Sequence, residues 1–185
     1  AYYTELYAIN LTEADVTVTF GAELTNAQSV MRLPLTVTLK PHATTRLTRI
    51  VPITIEKEWK YSYVYMGVFG DPETIHDDDY IYHLPYPAGK SYPVGQSFGG
   101  PFSHQKAAHY AVDFDMPLGS EVCAAREGIV LDVKESSNVG GTERKLRNEG
   151  NHVYIRHADR TIATYAHFQQ GGVAVAVGDS VARGQ

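Results

Sequence analysis

"HYAVDFDMPLGSEVCAAREGIVLDV", residues 109–133, opens with His109 and Asp113 four residues apart in an apolar run. In an extended chain, residues i, i+2 and i+4 point to one face, so this imidazole and this carboxylate share a side of a strand. About 13 Å of strand separates them, so they can share an ion only where the strand bends or bulges. His104 stands nine residues before the aspartate in a polar loop and can fold back towards it. Downstream, "TYAHF" offers His167 on a strand face that also carries Tyr165 and Ala163. Zinc is the natural ion for such a set, because it takes nitrogen and oxygen ligands at about 2.0–2.2 Å and catalytic sites keep one position for water. Spacing alone leaves all three histidines open as partners of Asp113.

Outward from this stretch the chain reads as β throughout. After residue 109, short apolar runs such as "HYAVDFDM", "NHVYIRHA" and "TIATYAHF" are separated by polar, glycine-rich loops. Before about residue 70, "ADVTVTFGAEL", "LPLTVTLKP", "TTRLTRIVPITI" and "WKYSYVYMGVFG" alternate apolar and polar residues between Pro, Gly and Asn signals. Strands about ten residues apart with no helical period predict a small antiparallel β-sandwich of immunoglobulin-like type. The segment "DPETIHDDDYIYHLPYPAGKSYPVGQSFGGPF" between the halves has the Pro, Gly and Asp density of a linker and entry loops, which places the domain boundary near Gly89. Its His76-Asp77-Asp78-Asp79 run reads as solvated linker rather than as a metal cluster, since neighbours on an extended chain face alternate sides.

Composition narrows the function classes. Of the 185 residues 43% are hydrophobic and 20% charged, and the net charge of −5 offers no electrostatic handle for nucleic acid. No apolar run approaches the roughly 20 residues of a membrane span. The start, "AYYTELYAIN", has neither a Met nor a basic-then-apolar leader, as expected of a mature form whose signal peptide has been removed. Cys123 is the lone cysteine and stands among small apolar residues, so it reads as a buried structural thiol. Asn10-Leu11-Thr12 is a formal glycosylation sequon, relevant only in a eukaryotic secretory context.

The stretches "HYAVDFDMPLGSEVCAAREGIVLDV", "NHVYIRHADRTIATYAHF" and "VAVGDSVARGQ" together resemble the lysostaphin-type zinc endopeptidases. That family shows a His, an apolar-flanked Asp, "MPxGTxVxAAxxGxV", "NxVxIxHxDGxxxxYAHL" and "GDxVxxGQ" in this order. The likeness covers about 85 residues, with Ser120 where Thr is usual, Arg160 where Gly is usual and Phe168 where Leu is usual. It implies an all-β chain, with a sandwich accessory domain at 1–88 and, at 89–185, an open β-barrel metallopeptidase domain lacking its C-terminal strands. It also implies Zn2+ as cofactor, peptidoglycan peptides as substrate and a periplasmic or secreted location. Asp113 would bind the metal, His167 would orient or deprotonate the attacking water, and Asn151 would line the substrate groove. For the first histidine ligand the resemblance offers two answers. Lysostaphin's own spacing selects His109, whereas "SFGGPFSH" and the long "NVGGTERKLRNEGN" loop resemble a Gram-negative subgroup with a leading β-domain, which selects His104. The second pattern matches more of the chain, so His104 is favoured and His109 is its rival.

The family completes its site with "PHLHF", whose two histidines supply the third ligand and the other catalytic histidine. No His-x-His occurs in these 185 residues. The resemblance therefore implies a wall-peptide endopeptidase when that segment is present, and an inactive polypeptide from the 185 residues by themselves. The alternative is a catalytically inactive relative that binds wall peptide or a partner hydrolase and regulates it.

Overall fold

The computed structural model describes residues 2–141, 146 and 149–185. Residues 142–145 and 147–148, part of the long loop used in the subgroup comparison, lie outside the described residues. By packing, the chain forms two compact units, Ala1–Asp79 with Arg156–Ala163, and Tyr80–Ile155 with Thr164–Gln185. As expected, the architecture is all-β, with a 3-10 turn at Lys106–Ala108. No helix among the described residues is long and apolar enough to cross a membrane.

The first unit contains β1 (Thr4–Ile9), β2 (Val16–Thr25), β3 (Ala27–Ser29), β4 (Leu35–Leu39), β5 (Thr44–Pro52) and β6 (Lys60–Phe69). They form two three-stranded antiparallel sheets, β1-β5-β3 and β4-β2-β6. Period-two alternation drives β2 and β4: Thr17 and Thr19 lie opposite Thr38 and Thr36, and each hydroxyl pair meets at 2.9 Å. Leu39 and Phe20 are buried, as are Leu47 and Ile50 of β5; each fully buried side chain of this size contributes about 1.5–3 kcal/mol. Leu47 and Ile50 are three apart, a spacing that strict alternation would split between faces. A register shift opposite Leu6 and Tyr7 absorbs the extra residue and turns both inward. The sequon residue Asn10 is buried too, its amide donating to the carbonyls of Ala14, Leu39 and Lys40.

The second unit contains β7 (Val94–Gln96), β8 (Asp113–Phe114), β9 (Gly128–Lys134), β10 (Asn151–Arg156), β11 (Ile162–Phe168) and β12 (Ser180–Val181), with β10 and β11 shared with the first unit at their hairpin turn. The larger sheet runs β11-β10-β9-β12 and the smaller pairs β7 with β8; neither closes into a barrel among the described residues. Alternation in β10 buries Val153 and Ile155, which pack with Val130, Val181 and Ala124. Although residues 80–88 have linker composition, they lie along this unit: His83 N–H donates to Ala125 O, Cys123 N–H donates to Pro85 O, and Tyr86 is buried edge-on against Tyr92 and Phe114.

Candidate metal centre

The centre starts from a two-strand pairing. Antiparallel β7 and β8 set Gln96 directly opposite Asp113, with an irregularity at Gly95. A Cβ at Gly95 would lie 2.5 Å from Asp115 Oδ1, so a side chain there would push that carboxylate aside. Residues 97–112 close the connection as a compact loop. Gly99 takes a left-handed turn at φ +65, Gly100 N–H donates to Ser97 O, and His104 N–H donates to Gly100 O.

This loop returns His104 to Asp113. The imidazole is 3% exposed, with Nδ1 2.9 Å from Ser97 O and Nε2 3.0 Å from Asp113 Oδ1. The Ser97 carbonyl can only accept, so it holds the hydrogen on Nδ1 and leaves a lone pair on Nε2 of the neutral ring. That lone pair faces a carboxylate oxygen, and two acceptors this close repel unless a proton or a metal ion lies between them. Zinc bonds of about 2.0–2.2 Å meeting at a tetrahedral angle hold nitrogen and oxygen ligands about 3.3 Å apart, close to the separation seen. A backbone carbonyl fixing the far nitrogen is the usual support of a metal-ligating histidine. The pair therefore fits zinc, as two of four ligands; among the described residues no group of three or more His, Cys, Asp or Glu side chains gathers to hold an ion.

The other residues singled out in the sequence lie elsewhere. His109 ends the 3-10 turn instead of sharing a strand with Asp113, because the strand there covers only Asp113 and Phe114. Its exposed ring packs over Gly99 and edge-on against Tyr110, and no hydrogen bond joins it to Asp113. His167 is exposed on β11 with a left-handed φ of +70, its ring beside Gly150, and no hydrogen bond among the described residues joins it to His104 or Asp113. Asn151 is 2% exposed: its Oδ1 accepts from Ser137 N–H, and its Nδ2 donates to the carbonyls of Ser137 and Phe168, tying the start of β10 to the end of β11. Cys123 is buried, and desolvation pushes its thiol pKa up, with the Glu121 carboxylate adding to the effect.

Two polar partners went unread in the sequence. Gln96 donates to Asp113 Oδ2 at 3.1 Å, and its only signal was a place among glycines in "VGQSFGG". His152 Nε2 meets Asp132 Oδ2 at 2.9 Å across β10 and β9, a partnership between residues 20 apart in sequence.

Comparison with known proteins bears on the same segment. Residues 107–185 match peptidase family M23. The carboxy-terminal part of the chain is thus similar to peptidases of the M23, lysostaphin type. An uncharacterized metalloprotease of Buchnera aphidicola subsp. Baizongia pistaciae is 26% identical over 102 residues, 53% of this chain and 24% of that protein. Peptidoglycan DD-endopeptidase ShyC of Vibrio cholerae serotype O1 is 35% identical over 85 residues, 46% of this chain and 17% of that protein. The chain thus spans about a quarter or less of the length of these curated relatives. No solved structure matches it significantly. His104, His109, Asp113, Asn151 and His167 all belong to the M23 segment or its immediate approach.

Proposed function

We propose that the protein is a zinc metallo-endopeptidase that hydrolyses peptide cross-links or stem peptides of bacterial peptidoglycan in the periplasm or outside the cell. In this reading the first compact unit, with residues 1–79, is an accessory domain, and the second, which begins at Tyr80 rather than near Gly89, carries the peptidase site. The observation that carries it is the facing of His104 Nε2 and Asp113 Oδ1 at 3.0 Å, in and beside the M23 match. The names of the two relatives, a metalloprotease and a peptidoglycan DD-endopeptidase, support the reaction class and the substrate. When bound, zinc polarises the scissile carbonyl and lowers the pKa of its water towards about 7.

The chain's own groups divide the remaining work. His104 and Asp113 hold the ion, and Ser97 O keeps the His104 ring in the ligating tautomer. His167, exposed at a left-handed position, would take a proton from the attacking water as its oxygen bonds to the carbonyl carbon and pass it to the amine nitrogen as the C–N bond breaks. Asn151, expected to line the substrate groove, instead has its amide taken up by Ser137 and Phe168 and serves to fix the backbone next to His167. The test is zinc content and wall solubilisation by the full-length protein. Asp113→Ala is expected to lose both, whereas His167→Gln keeps zinc and loses about 10²–10⁴-fold in activity. A zinc-loaded full-length protein that solubilises no wall would replace this reading with the regulatory one, in which the site binds wall peptide or a partner hydrolase without cutting.

A further inference from the structure

We propose that Gln96 is a positioning residue that commits Asp113 to binding the metal through one oxygen. This rests on the zinc reading above and adds how the carboxylate is presented. Gln96 uses its whole carboxamide. Oε1 accepts from the backbone N–H groups of Phe102 and Ser103 at 3.0 and 3.2 Å, while Nε2 donates to Ser103 Oγ at 2.9 Å and to Asp113 Oδ2 at 3.1 Å. The two backbone donors settle which end of the amide is oxygen, so the group facing Asp113 is the N–H end.

The consequence lies in the two oxygens of Asp113. Oδ2 is occupied by a neutral donor, and Oδ1 is left pointing at His104 Nε2. A carboxylate can bind a metal through one oxygen or both; here the second oxygen would have to give up Gln96. The Asp113 side chain is 49% exposed, so burial does not set its angle and the hydrogen bond does. One-oxygen binding keeps the coordination number low and leaves room for water and substrate.

The same amide clamps residues 102 and 103, immediately before His104, so one side chain orients both metal donors. The fold is built around it: a Cβ at Gly100 would lie 2.2 Å from Gln96 Cγ, so the loop closes over this side chain only with glycine there.

The experiment uses the intact protein with zinc, and with cobalt(II) as a coloured substitute whose visible absorption is strong in four-coordinate sites and weak in five- or six-coordinate ones. Gln96→Ala is expected to weaken zinc binding about 10–100-fold, as loss of an outer partner of a ligand does. Gln96→Glu keeps the oxygen that accepts from Phe102 and Ser103 but places an acceptor against Asp113 Oδ2. At pH 8 it is expected to leave the unfolding temperature within a few degrees, to weaken the cobalt absorption towards higher coordination, and to lower kcat with little change in KM. A wild-type cobalt spectrum and kcat in Gln96→Glu would overturn the proposal, leaving Gln96 as a loop clamp only. If Gln96→Ala fails to fold, Gln96→Glu still decides. Absence of zinc or cobalt uptake by the wild-type protein would overturn the zinc reading together with this one.

Discussion

His104 and His109 carry the same ring on the same loop, and their surroundings separate them. His104 is buried, with a carbonyl on one nitrogen and the Asp113 carboxylate on the other; His109 is exposed, and its ring contacts are Gly99 and Tyr110. Removing His104 takes a donor that is already fixed in tautomer and direction. Replacing it with Ala should cost more than the roughly 100-fold that loss of an outer partner costs, and stoichiometric zinc should disappear from the purified full-length protein. His109→Ala should keep zinc within about threefold, since it removes only a ring packed on the surface. Metal analysis of the two variants decides the matter, and the reverse outcome would show that the shorter spacing supplies the ligand. This choice was half legible in the sequence. The distance of nine residues from His104 to Asp113 gives no geometry until β7 and β8 pair and the loop folds back. The four-residue spacing of His109 suggested a shared strand face, but the turn at Lys106–Ala108, entered at a left-handed φ of +54, occupies that place.

Among the elements, the β10–β11 hairpin turn breaks a local rule. Arg160 adopts φ +71, a conformation that costs an L side chain roughly 1–2 kcal/mol and glycine little. On backbone grounds alone Arg160→Gly should stabilise the protein. Within the first compact unit, however, Arg160 Nη2 lies 2.9 Å from Asp15 Oδ2, whose side chain is 4% exposed. Asp15 Oδ1 is buried and has no hydrogen-bond partner, so Oδ2 with Arg160 and with Lys40, 3.4 Å away, carries the compensation for that carboxylate. Stripping one cation from a buried carboxylate costs about 3–5 kcal/mol, and less here because Lys40 remains and Arg160 is half exposed. Arg160→Gly should therefore destabilise by about 1–2 kcal/mol despite the relieved backbone, and by less in an Asp15→Asn background. Denaturant unfolding of the four proteins checks this, and a stabilised Arg160→Gly would show that the ion pair contributes less than the backbone strain costs. Alternation in "VTVTF" and "LTVTL" gave away β2 and β4 at once, because faces alternate wherever strands run regularly. Leu47 and Ile50 hid their common burial, since the bulge that reconciles them arises from pairing with β1.

For the whole molecule, the number of metal donors is the decisive quantity. In the proposed zinc site His104 and Asp113 would be two, and a tetrahedral zinc site with an open position needs three from protein. Among the described residues no third His, Cys, Asp or Glu joins the pair, so the third donor comes from rearrangement of a side chain such as His109 or His167, from the undescribed residues, or from protein outside these 185 residues. The two sources predict different measurements. If the third donor is external, the 185-residue polypeptide should bind zinc at least about 100-fold more weakly than the product of the complete reading frame, because the chelating ring is incomplete and two ligands hold the ion alone. It should also solubilise no peptidoglycan. If the donor is internal, the two affinities should agree within a few-fold, and His109→Ala or His167→Ala in the short form should abolish binding. Zinc competition titrations of both forms separate the cases without relying on activity. A short form that binds as tightly as the complete protein and loses zinc on His167→Ala would make His167 a ligand, and would take from it the proton-transfer role proposed above.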